Sequence, residues 1–156
     1  MTSDPNESTA TLSEIVEDEF RFLAERGFHC TIEDETSLRY ESAEGVFVRV
    51  FRDPRDKYVG FRIGLTSRPR DALTATELAK LSGVAESRGE SPERAAQLRA
   101  SVARVARDLR IHGERALGGD ESIYDEAMEL RRAYTRRYTR PPDGTSGAAG
   151  REDVAP

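Results

Sequence analysis

Between Phe28 and Thr66 apolar residues recur at every second position, and two turns inside that stretch fix the face they share. Ala43-Glu44-Gly45 suits a three-residue hairpin loop with Gly45 in the left-handed conformation, which sets Tyr40 opposite Val48 and Leu38 opposite Val50. In Asp53-Pro54-Arg55-Asp56 the proline presets φ for a tight turn. With Pro54 and Arg55 as the loop, Phe51 faces Tyr58, Val50 faces Val59, Val48 faces Phe61 and Val46 faces Ile63. Both turns place the valines on one side. A slip of one residue at either turn would send them to solvent, so their agreement predicts a buried face. Four antiparallel strands are expected, over 28–33, 37–41, 46–52 and 57–66.

Helical spacing brackets this meander. Thr11-Leu12-Ser13-Glu14 has the form of a capping box, and Leu12, Ile15, Val16, Phe22 and Leu23 follow as one stripe, predicting a first helix that Gly27 ends. Ser67-Arg68-Pro69-Arg70-Asp71 reads as a linker. Thr74 and Glu77 form a second capping box, with Leu73 and Leu78 as a staple, for a helix stopping at Gly83. Ser91-Pro92-Glu93 has the form of a helix start, and Ala95, Leu98, Val102, Val105 and Leu109 continue it to about His112. Asp120 can cap a last helix with Ile123, Ala127, Leu130 and Tyr134 inward, ending before Pro141-Pro142. Residues 1–10 and 141–156 lack periodicity and are expected to be disordered, leaving one α+β domain over 11–140. Its order is a helix, a four-stranded antiparallel meander and three helices.

The chemistry available to such a domain is limited. A single cysteine, Cys30, excludes an intrachain disulfide, and with only His29 and His112 beside it there are too few soft ligands for a structural zinc. His29 and Cys30 are neighbours on a strand, so their side chains point to opposite faces and cannot form a catalytic pair. No glycine-rich phosphate loop, HExxH or nucleophile elbow is present. The acidic series Glu121, Asp125 and Glu129 lies on one helix face, which gives poor geometry for a hard cation; it reads as a solvated face. Neither a catalytic residue, a metal nor a cofactor is assigned. No apolar run reaches the 18 or so residues of a membrane span, and the N-terminus has no signal-like region, so a cytoplasmic protein is expected.

Charge is abundant and uneven. Charged residues make up 34% of the chain, and the net charge is -5, which argues against general affinity for nucleic acid. Every basic residue except Lys57 and Lys80 is arginine, a bias that fits genomic base composition. Five of them, Arg131, Arg132, Arg136, Arg137 and Arg140, fall in a stretch without acids at the end of the last helix. This stretch could bind phosphates or an acidic partner, dock on the acidic first helix, or simply complement the helix dipole.

The same register places Arg39, Phe47, Arg49, Phe51, Tyr58 and Arg62 on the sheet face opposite the valines, with Gly60 and Gly64 leaving its surface open. Arginine with aromatic residues is the composition of protein-binding hot spots. Either a helix covers this face and the rings form a second core layer, or the face is a binding surface. Base stacking is a further possibility, although no ribonucleoprotein motif is present.

Phe20-Arg21-Phe22-Leu23-Ala24-Glu25-Arg26-Gly27-Phe28, Arg39-Tyr40-Glu41-Ser42, Val46-Phe47-Val48-Arg49-Val50 and the 113–120 segment resemble a group of small uncharacterised actinobacterial α+β proteins. The architecture is more distantly similar to bacterial immunity proteins and secretion-chaperone-like folds. That resemblance implies a non-catalytic protein-binding module, immunity-like or adaptor-like, with a protein partner. The alternative is a nucleic-acid-binding protein that uses the Arg131–Arg140 helix end and the arginine and aromatic sheet face.

Overall fold

The computed structural model describes residues 10–83 and 97–139. Five strands, β1 (His29–Asp34), β2 (Ser37–Glu41), β3 (Val46–Arg52), β4 (Val59–Leu65) and β5 (Arg68–Thr74), form an antiparallel meander in sequence order. The helices are α1 (Leu12–Glu19), α2 (Arg21–Glu25), α3 (Ala75–Ser82), α4 (Leu98–His112), α5 (Glu114–Leu117) and α6 (Glu121–Thr139). The helix start at Ser91-Pro92 and the expected disordered ends lie outside the described residues, except Ala10, which is partly buried against the core.

The β2–β3 hairpin has the expected register, Tyr40 opposite Val48 and Leu38 opposite Val50. Gly45 closes it at φ 84°, and a Cβ there would sit 3.0 Å from the Thr66 hydroxyl, so both conformation and space favour glycine. The β3–β4 hairpin differs. Val50 faces Phe61, Val48 faces Ile63 and Val46 faces Leu65, two residues away from the expected pairing. The loop is longer because the Asp53 carboxylate accepts from the N–H groups of Arg55 and Asp56, the Asp53 N–H donates to the Tyr58 carbonyl, and Lys57 takes φ 54°. A two-residue shift preserves side-chain parity, so the valines still face inward.

Three further expectations are corrected. Where three C-terminal helices are expected, a short additional helix, α5, lies between α4 and α6. The segment read as a linker is strand β5, where Pro69 is tolerated because the strand is at the sheet edge. Leu73 of β5 pairs with Ile63, and an irregularity in register follows between Ile63 and Leu65. The first helix is broken at Phe20, whose backbone departs to φ -98° and ψ 20°. That break brings the Phe20 ring to full burial, 6.3 Å from the ring of Tyr40.

Both capping boxes are formed, Thr11 with Glu14 and Thr74 with Glu77, and Gly83 ends α3 in the left-handed conformation. The Asp120 carboxylate accepts from the Ser122 N–H at the start of α6. One hydrophobic cluster joins Leu12, Val16, Phe20 and Leu23 to the inward side chains of the sheet and to Leu78, Val102, Leu109, Ile123 and Tyr124. On α6 the expected inward Tyr134 is 61% exposed, while Tyr124 is fully buried and donates its hydroxyl to the Ala116 carbonyl. No helix among the described residues is long and apolar enough to cross a membrane.

Candidate interaction face

The outer face of the sheet is built by the alternation that fills the core. With Val46, Val48 and Val50 inward, Phe47, Arg49 and Phe51 must point outward from β3, and their partners across the sheet follow from the register. Arg39, Arg49 and Arg62 stand directly opposite one another on β2, β3 and β4. Thr31 and Thr74 extend this row to the two edge strands. On one side of it Phe47 faces Gly64, and on the other Phe51 faces Gly60.

The glycines do not leave the surface open. A Cβ on Gly64 would lie 2.7 Å from the Phe47 ring, and one on Gly60 would lie 3.1 Å from the Phe51 ring and 2.7 Å from that of Tyr58. Each ring therefore lies over the glycine opposite it, an arrangement in which aromatic surface replaces the missing side chain. Phe47 is consequently buried, at 5% exposure, also beneath the Arg39 guanidinium 4.2 Å from its centroid. Phe51 is half-buried, its ring 6.5 Å from that of Tyr58, which is 50% exposed.

No described helix forms a second core layer on this side. Phe47 and Ala72, the buried apolar side chains of this face, lie outside the cluster that contains the helices' buried residues. Arg39 and Arg49 are half-buried and Arg62 is exposed. Their electrostatic surroundings differ. Arg39 pairs with Glu41 at 2.6 Å, and Arg49 with Glu33 at 3.4 Å while lying 5.8 Å from the Phe51 centroid. Arg62 has no ion-pair partner among the described residues.

The arginine-rich end of α6 divides into structural and exposed members. Arg131 is turned inward, donating to both Glu77 carboxylate oxygens at 2.6 and 2.8 Å and to the Ala72 carbonyl at 2.5 Å. Burial opposes the charge on Glu77, but the Arg131 and Thr74 hydrogen bonds outweigh it and hold its carboxyl below the usual range. Arg132 pairs with Glu129. Arg136 and Arg137 are exposed, and Arg140 lies outside the described residues. Met128, Arg131, Arg132, Thr135 and Arg136 border an open recess of about 400 Å³. Among the described residues, Asp18 and Glu19 of the first helix are paired instead with Arg99 of α4, at 2.9 and 3.4 Å.

The residues with catalytic potential are separated. Cys30 lies opposite Tyr40, and burial raises its thiol pKa, with Glu17 adding to the effect against a hydrogen bond from Tyr40. A thiol held protonated is a poor nucleophile. The His112 ring is 2.6 Å from the Ser82 hydroxyl, joining the ends of α4 and α3. Among the described residues no three His, Cys, Asp or Glu side chains are grouped to hold a metal ion.

Comparison with protein-family models, with curated proteins and with solved structures finds no match.

Proposed function

We propose that this chain is a non-catalytic, cytoplasmic protein-binding module of the immunity, adaptor or chaperone kind, and that the outer sheet face is its binding surface. One observation carries the reading: a central sheet face rich in arginine and aromatic side chains has no described helix over it. Such composition supplies rigid contact area together with directional hydrogen-bond donors, the combination that dominates protein interfaces. The nucleic-acid alternative is less favoured, because Arg131 and Arg132 of the basic stretch are held by Glu77 and Glu129.

Immobilised full-length chain, as wild type and as the Arg49→Ala, Phe51→Ala double variant, tests this by protein capture from cells that express it. The variant is expected to lose its captured protein while melting within a few degrees of wild type. Unchanged capture with a much lower melting temperature would make the face a structural layer. A steep loss of capture with salt would point instead to phosphate contacts.

A further inference from the structure

We propose that the Arg39, Arg49 and Arg62 row seats an extended acidic segment of a partner protein, centred on Arg62; this rests on the open-face reading above. Like charges directly opposite one another across a sheet oppose folding. Three guanidiniums in a row on adjacent strands are the pattern least expected of a chain whose net charge is -5.

The fold relieves two of the three. Arg39 is drawn toward Glu41 and the Phe47 ring, and Arg49 toward Glu33 and the Phe51 ring. The rings belong to the rows on opposite sides of the arginine row, so these two side chains diverge along the strands. Arg62 is left exposed, with no ion-pair partner among the described residues. Its neighbours two positions away on β4 are Gly60 and Gly64, whose places are taken by the rings of Phe51 and Tyr58 on one side and Phe47 on the other. Arg62, unpaired among the described residues, thus stands between two aromatic platforms.

That spacing specifies an occupant. Residues two apart on a strand repeat at about 6.8 Å, so an extended segment lying along β4 places alternate side chains over the position of Gly60, over Arg62 and over the position of Gly64. The sequence pattern that fits is apolar, any, acidic, any, apolar. The carboxylate takes the guanidinium in a charge-assisted pair, and the flanking side chains cover aromatic surface. A nucleic-acid strand fits less well, because Glu33 and Glu41 flank the row and already occupy Arg49 and Arg39.

Fluorescence anisotropy tests this with the full chain and three labelled probes: a peptide with a Leu-Thr-Glu-Thr-Leu centre, its glutamine counterpart, and a short oligothymidylate. The glutamate peptide is expected to bind about ten-fold more tightly than the glutamine one, a difference of about 1.4 kcal/mol. Arg62→Glu should abolish that preference, Arg62→Gln should reduce it and Arg62→Lys should retain part of it, with thermal melts of all three close to wild type. Equal binding of the two peptides, or a glutamate preference unchanged by Arg62→Glu, overturns the proposal. Tighter binding of oligothymidylate than of the glutamate peptide overturns it in favour of nucleic acid. The two readings fail separately: protein capture lost in the Arg49→Ala, Phe51→Ala variant but unaffected by Arg62→Glu leaves the open face a binding surface and removes the acidic occupant.

Discussion

Gly64 and Phe47 form one structural unit, since a Cβ at Gly64 would lie 2.7 Å from the ring packed over it. Gly64→Ala is therefore expected to displace Phe47 and cost about 1–3 kcal/mol, read as a lowered denaturant midpoint. An unchanged midpoint would mean that the ring does not depend on the glycine. Arg131 and Glu77 form a second such unit, tying α6 to the start of α3. Arg131→Ala should cost about 1.5–3 kcal/mol, because it removes both charge-assisted bonds from a mostly buried carboxylate and leaves it only its bonds from Thr74. The pH dependence follows from the sign of the Glu77 shift. Its carboxyl is held lower in the folded chain than in the unfolded one, so its stabilising contribution is present above the unfolded value. That contribution is lost as pH falls through the folded value. Urea titrations between pH 7 and pH 3 should show wild type losing more stability on acidification than Glu77→Gln, and parallel losses would refute the linkage.

At the scale of elements, the sheet's burial pattern was legible because it needs only parity. The Gly45 turn, both capping boxes and the strands 37–41 and 46–52 can be read from local rules, which the packed chain obeys. The β3–β4 pairing could not, since its loop is set by Asp53 side-chain bonds and a positive φ at Lys57, both invisible to a proline-based turn reading. Strand β5 was hidden for a different reason: its hydrogen bonds to β4 are main-chain bonds, and its arginine, proline and aspartate composition is that of a loop as well as of an edge strand. The break at Phe20 places its ring 6.3 Å from that of Tyr40 on another element, a contact that local spacing does not reveal. Of the outer sheet face, the alternation gave the membership, but not the packing of the rings onto Gly60 and Gly64, which requires the cross-strand partners. Two variants separate the faces of this sheet. Val48→Asp puts a charge at a fully buried inner position and should prevent folding, as judged by circular dichroism. Arg62→Gln, on the outer face, should instead stabilise by about 0.5 kcal/mol at low salt by removing a like-charge neighbour of Arg49, with the gain vanishing near 1 M salt.

For the whole molecule, the buried side chains of the described helices are segregated to one face of the sheet, and the proposed function depends on that asymmetry. On the other face Tyr58 is 50% exposed, and Arg62 is exposed with no ion-pair partner among the described residues. The presence of a single cysteine permits a direct test of whether that surface is open. In a Cys30→Ser background, Arg62→Cys introduces one thiol at the centre of the outer face, and its modification by a maleimide is followed in the native full-length chain. The account predicts native labelling within a few-fold of the rate in denaturant, slowed when the captured partner protein is bound. Strong protection of that thiol in the isolated chain would contradict it, placing part of the molecule over the face on which the proposed function depends.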